Sequence, residues 1–187
     1  MTGKNFITAL PVADKKSVFS RWFNNPTFLA LLGAMVVALV YGRVVALNIL
    51  VGVVGGNSDG YENLWNDYWT RTALLNFKNP YFTDFIYYPI GVSLRYHTLH
   101  PLSGLLAIPL LPLVGPIVTT NLIFLLSLCL SVFCSYLLIN DFVKSPLFAF
   151  AGATLFTYAY ANHTKLPFLN GGQTEKLASM WLPLYLF

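Results

Sequence analysis

Two long apolar runs, separated by a long polar and aromatic stretch, constrain this 187-residue chain more than any other feature. The first covers Phe28 to about Leu50, FLALLGAMVVALVYGRVVALNIL, and the second covers Ile117–Ile139. A run of about 20 apolar residues crosses a bilayer core as a helix, which satisfies its own backbone hydrogen bonds. Both runs are therefore expected to span a membrane. Composition agrees: the chain is 56% hydrophobic and 10% charged, against about 25% charged residues in soluble domains. The expected fold class is an all-α polytopic transmembrane protein, with a long external loop after the first span that carries amphipathic juxtamembrane helices.

Charge sets the orientation. Lys4, Lys15, Lys16 and Arg21 face the single acid Asp14 in the first 21 residues. That pattern reads as a cytoplasmic leader over residues 1–26, not as a nucleic-acid patch. It is not a secretory signal, because the apolar run starts late, is too long and lacks a nearby small-residue cleavage site. With the N-terminus inside, residues 51–116 form the external loop. Arg43 and Asn48 interrupt the first span near its far end. Arg43 is read as snorkelling or as a structural ion pair ahead of a ligand contact.

The segment Pro101–Pro116, PLSGLLAIPLLPLVGP, is short and broken by Pro109, Pro112 and Pro116. It reads as a juxtamembrane or half-inserted element. A turn at Asn140–Pro146 precedes a third span at Leu147–Ala161, a polar loop at 162–176, and the opening of a fourth apolar run at 177–187. If Pro101–Pro116 does not cross, both polar loops lie on the same face; if it crosses, they lie on opposite faces. The fourth run is too short to span, which reads as a fragment of a longer polytopic protein. Cys129 and Cys134 are five apart on a helix, point to different faces, and are not expected to bridge.

The first loop concentrates the chemistry. Gly55–Ser58 is turn-rich, and Asp59 followed by Glu62 has the spacing of a capping box. Tyr61, Leu64, Trp65, Tyr68 and Leu75 recur at helical spacing, with Glu62, Asn63, Asn66, Asp67, Thr70 and Arg71 on the other face. An interfacial amphipathic helix is expected, with Trp65 and Trp69 at headgroup level. Asp59 reads equally as an N-cap and as a catalytic acid. Asp67 lies four residues before Arg71, and a surface ion pair is the favoured reading. Asp84 stands as the cap of a second short helix or as a site residue. His97 and His100, three apart, suit one helix face, but no third metal ligand is evident. In the second loop, His163, Lys165, Gln173, Glu175 and Lys176 supply acid, base and anion-binding groups, or a solvated turn.

The first-loop D-G-Y-E-x-L-W, the N-P-Y-F-T-D-F-x-Y-Y-P-x-G-V-S-L and H-T-L-H-P-L-S-G-L-L that follow, and the later G-G-Q-T-E-K-L-A-S-M-W-L-P-L-Y-L resemble the C-type (GT-C) membrane glycosyltransferase superfamily. The resemblance is to uncharacterised bacterial members, covers about residues 27–187, and corresponds to an N-terminal portion. It implies an integral protein of the cell inner membrane. It also implies inverting transfer of a sugar from a polyprenyl-phosphate donor that arrives through the lipid bilayer. By position Asp59 resembles the first-loop acid that acts on the acceptor, and Glu175 or His163 the group from the next external loop. Glu62, Arg71, Asp84, Arg95, His97, His100 and Lys165 are the candidate substrate-binding residues, with the cations suited to the leaving phosphate. Some superfamily members use a divalent metal and others do not, and the acids here are able to ligate one. The chain has fewer spans than that superfamily. The alternative is therefore a non-catalytic membrane subunit, related to the same fold, that packs against other membrane subunits. A transporter is the weaker reading, since charges within the spans are scarce apart from Arg43.

Overall fold

The computed structural model describes residues 25–54 and 60–163, with side chains described to residue 159. The described chain is mostly helical. Helix α1 runs Pro26–Tyr41. It begins where Asn25 Oδ1 accepts from the Thr27 amide at 3.0 Å, with Pro26 in the first helical position, where its missing N–H is harmless. The first apolar run is divided at Gly42, and a short α2, Arg43–Leu47, follows. A Cβ at Gly42 would overlap the side chain of Leu125, so this glycine allows close approach to the central helix.

Helix α3, Tyr61–Leu75, is followed by a small antiparallel hairpin, β1 (Phe82–Thr83) and β2 (Val92–Ser93). Its register pairs Phe82 with Ser93 and Thr83 with Val92. Helix α4, Pro101–Val114, holds Pro109 and Pro112 within it. At 14 residues it is about 21 Å long, less than a bilayer core. Gly115, at φ 79°, turns the chain into α5, Pro116–Val143.

Helix α5 is the centre of the fold and, among the described helices, the one long and apolar enough to cross a membrane. Helices α1 and α4 are shorter and apolar, as is the part Pro146–Ala159 of α6, which runs Pro146–His163. Asn140 and Asp141, expected in the turn, continue α5 instead. The helix ends at Lys144, left-handed at φ 54°, whose amide donates to Asn140 O at 2.9 Å.

Packing on α5 depends on small residues. Ala30, Ala34 and Ala38, four apart on α1, and Ala149 and Ala153 on α6 are buried against Phe124, Leu128, Val132 and Tyr136. Small side chains at every fourth position let two helices approach closely and gain dispersion contacts, which lipid tails would otherwise match. The opposite faces of α1 and α6 expose Met35, Val36, Leu39, Leu147 and Phe148. Cys129 and Cys134 are both buried and unbridged, as their spacing requires.

Toward its N-terminal end α5 also meets α3 and α4, through Thr120. Asn121 makes the connection. Its Nδ2 donates to Ile49 O at 3.0 Å and Gly52 O at 2.7 Å, and its Oδ1 accepts from the Val54 amide at 3.2 Å. One buried amide thus satisfies three backbone groups where the chain leaves α2.

Candidate functional site

Helix α3 is turned around relative to the amphipathic expectation. Asn66, Asp67 and Thr70, from the polar stripe, are buried, whereas Tyr61, Tyr68 and Leu75, from the apolar stripe, are exposed. Trp69 is 1% exposed, so its ring is packed inside the protein rather than presented to headgroups. Its Nε1 donates to Pro80 O at 2.9 Å, its ring meets Phe85 edge-on at 5.1 Å, and it stacks with Trp65 at 6.2 Å. The physical reason is that α3 packs on α4 and α5, which offer hydroxyl groups at the contact. A helix face with hydrogen-bonding partners can be buried although it is polar.

The ionisable member of this buried group is Asp67, 4% exposed. One carboxylate oxygen accepts from Ser103 Oγ of α4, and the other accepts from Thr120 Oγ1 of α5 at 3.1 Å. Burial pushes its pKa up to about 6, and the two hydroxyl donors offset that rise only in part. The expected Asp67–Arg71 surface pair is absent among the described contacts. Arg71 Nε instead donates to Ile108 O of α4 at 3.3 Å. Close approach of α3 and α4 is possible because Gly104 faces Thr70, and a Cβ there would overlap the threonine side chain.

The open end of α3 holds a second polar group. His97 Nε2 lies 2.9 Å from Asn66 Oδ1 and 3.7 Å from Glu62 Oε1. Asn66 Nδ2 is committed to Thr98 O at 3.0 Å. That leaves Asn66 Oδ1 as the acceptor and assigns the proton to His97 Nε2. Thr98 Oγ1 donates to Glu62. Trp65 meets the His97 ring edge-on at 6.0 Å. Glu62 and His97 are 41% and 28% exposed, so a ligand can reach both. The arrangement offers a carboxylate, an oriented imidazole and an aromatic face at one surface.

Of the residues expected to form the site, Glu62 and His97 are brought together. Arg71 is tied to α4. His100 occupies the N-cap position of α4, where its carbonyl accepts from the Gly104 amide at 3.2 Å. The chain turns at Leu94–His97, where the His97 amide donates to Leu94 O at 3.1 Å, and residues 98–100 do not form the helix that the His97–His100 spacing suited. Asp84 stands half-buried on the hairpin rather than capping a helix, and Arg95 is exposed beyond β2. Asp59, Lys165 and Glu175, and the side chain of His163, lie outside the described residues, as does the Asp59 half of the capping box. The described start of α3 has Gly60 in the cap position, without a side-chain cap. Among the described residues no three His, Cys, Asp or Glu side chains converge as a metal site requires.

Thr98, Ser103, Thr120 and Asn121 hold polar contacts and were not singled out by the sequence, and Asn66 was placed only on the polar stripe of α3. A signal existed for two of them. Thr119-Thr120-Asn121 is a polar triplet inside an apolar run, where such residues face partners within the protein. No family model, curated protein or solved structure matches the chain.

Proposed function

We propose that this chain is the N-terminal portion of a polytopic membrane glycosyltransferase that takes a sugar from a polyprenyl-phosphate donor, in the inner membrane with its first long loop external. The observation that carries the reading is the Glu62–His97 pair, held by Asn66 beside Trp65 on the accessible end of α3. Glu62 follows Asp59 by three residues in the chain. Aromatic faces suit sugar rings, and a carboxylate or oriented imidazole suits a hydroxyl proton.

The reaction needs one proton transfer and one displacement. An acidic residue, Asp59 in this reading, takes the acceptor's hydroxyl proton. The acceptor oxygen bonds to the anomeric carbon, whose bond to the phosphate oxygen breaks, and the lipid phosphate leaves with the electron pair. Attack from the opposite face inverts the anomeric centre. Glu62 and His97 bind the sugar hydroxyls, and Arg95 and Lys165 stand for the leaving phosphate. The test is transfer from radiolabelled polyprenyl-phosphate sugars in membranes that carry the complete gene product. Asp59→Asn is expected to abolish transfer at unchanged expression; surviving activity removes Asp59 as the base.

A specific observation favours the second reading, a non-catalytic membrane subunit. Asp67 and Arg71 are both committed to holding α3 on its neighbours. A loop that uses its ionisable groups in this way is suited to serve as a rigid docking element. A protein that co-purifies with its larger partners but supports no transfer with any lipid-linked donor decides for this reading.

A further inference from the structure

The hairpin tip is apolar and exposed without interruption. Ile86, Tyr87, Tyr88, Pro89 and Ile90 follow one another, with Tyr87, Tyr88 and Ile90 exposed by 74%, 82% and 85%. Runs of this kind do not persist on a water-facing surface without a role. Tyrosine, proline and isoleucine together have the amphipathic character of a bilayer interface, where one end of a ring is apolar and the other is wet.

Backbone conformation points the same way. Phe77 and Tyr87 are left-handed, at φ 54° and φ 57°. At Phe77 this conformation closes the end of α3, with the Lys78 amide donating to Ala73 O at 2.8 Å, and at Tyr87 it opens the turn in which the Ile90 and Gly91 amides donate to Tyr87 O at 3.0 Å, so both turns leave the aromatic ring outside. Phe77, just after α3, is 99% exposed. Two exposed cations, Lys78 and Arg95, stand at the two roots of the hairpin, and the acid between them, Asp84, is half-buried. That balance complements anionic headgroups. The roots are fixed, since Trp69 holds Pro80 O, and the Leu94 amide donates to Tyr81 O at 2.8 Å. Through α3 the hairpin is tied to α5, the span-length helix.

We propose that the hairpin tip 86–90, with Phe77, is the element that dips into the lipid interface, and that Lys78 and Arg95 meet the phosphate layer above it. This replaces the expected anchoring by Trp65 and Trp69; the tip residues 86–90 and Phe77 have no part in the proposed transfer reaction, which shares only Arg95 with this surface. The lipid surface, rather than a second protein, is the occupant favoured by the paired cations and by the attachment to α5.

The test uses nitroxide labels on Tyr87→Cys, Ile90→Cys, Phe77→Cys and Ser93→Cys in the intact protein, reconstituted in vesicles of phosphatidylcholine with phosphatidylglycerol. The native Cys129 and Cys134 are buried, and the unsubstituted protein measures their background. Labels at 77, 87 and 90 are expected to collide with oxygen more than with a water-soluble nickel chelate, and the label on Ser93, on β2, to show the reverse. Nickel collisions dominating at 87 and 90 overturn the proposal, as does exclusion of both probes, which means that a second copy of the chain covers the tip. Vesicles without phosphatidylglycerol are expected to shift both tip labels toward water; unchanged depth removes the roles of Lys78 and Arg95.

Discussion

Asp67 of α3 accepts hydrogen bonds from Ser103 of α4 and Thr120 of α5, so one buried carboxylate joins three helices. Its elevated pKa makes that junction sensitive to pH. Because the folded value, about 6, lies above the ordinary 3.8, the native state binds the extra proton. The stabilisation is complete below the unfolded pKa and is lost as pH rises through about 6, an effect on the order of 3 kcal/mol. Apparent melting temperature in detergent is therefore expected to fall between about pH 4 and pH 7 in proportion to this group. Asp67→Asn keeps the shape and removes the titration, so its melting temperature is expected to be flat over that window. An unaltered pH slope in Asp67→Asn contradicts the assignment.

Asn121 offers a cleaner test of stability. Asn121→Leu leaves Ile49 O, Gly52 O and the Val54 amide without their side-chain partner. Unsatisfied buried groups cost about 1–3 kcal/mol. Lower melting temperature, with faster proteolysis around residues 49–54, is expected; a variant as stable as the parent shows that water replaces the amide at no cost.

Gly104 and Thr70 form a coupled pair across α3 and α4. Gly104→Ala places a methyl group into Thr70, and overpacking of this kind costs about 1–3 kcal/mol. Thr70→Gly is expected to recover most of that loss in a double-mutant cycle, since it removes the atoms that are struck. Additive losses in the double variant contradict the close contact.

Topology is tested by thiol labelling of Tyr61→Cys and Asn170→Cys in intact cells. Tyr61 is exposed at the start of α3. Labelling of both positions from the same side is expected if α4, at 14 residues, stays within one leaflet rather than crossing a core of about 30 Å. Labelling from opposite sides means that α4 crosses, and the two polar loops then share no site.

The helical class and the central apolar helix were legible in the sequence because both follow from long, uninterrupted hydrophobic runs. The break at Gly42 was less legible, since it depends on how near Leu125 comes. The face of α3 was misread for a related reason. Helical periodicity separates a polar from an apolar stripe, but it does not say which stripe is buried when neighbouring helices supply Ser103 and Thr120 as partners. Asp67 and Arg71 have the spacing of an ion pair, yet Ile108 O and the two hydroxyls are closer partners in the fold. The Glu62–His97 pair joins residues 35 positions apart (97 − 62), which the hairpin and the turn at 94–97 bring back to α3.

The most direct measurement is sugar transfer from a polyprenyl-phosphate donor by membranes carrying the parent protein, Glu62→Gln or His97→Gln. The variants are expected to be expressed and folded, since both side chains are partly exposed, and to lose transfer by about 10²-fold or more. Parent-level transfer in both variants would contradict a site at the Glu62–His97 pair. A parent protein with no transfer from any such donor would contradict the glycosyltransferase assignment itself.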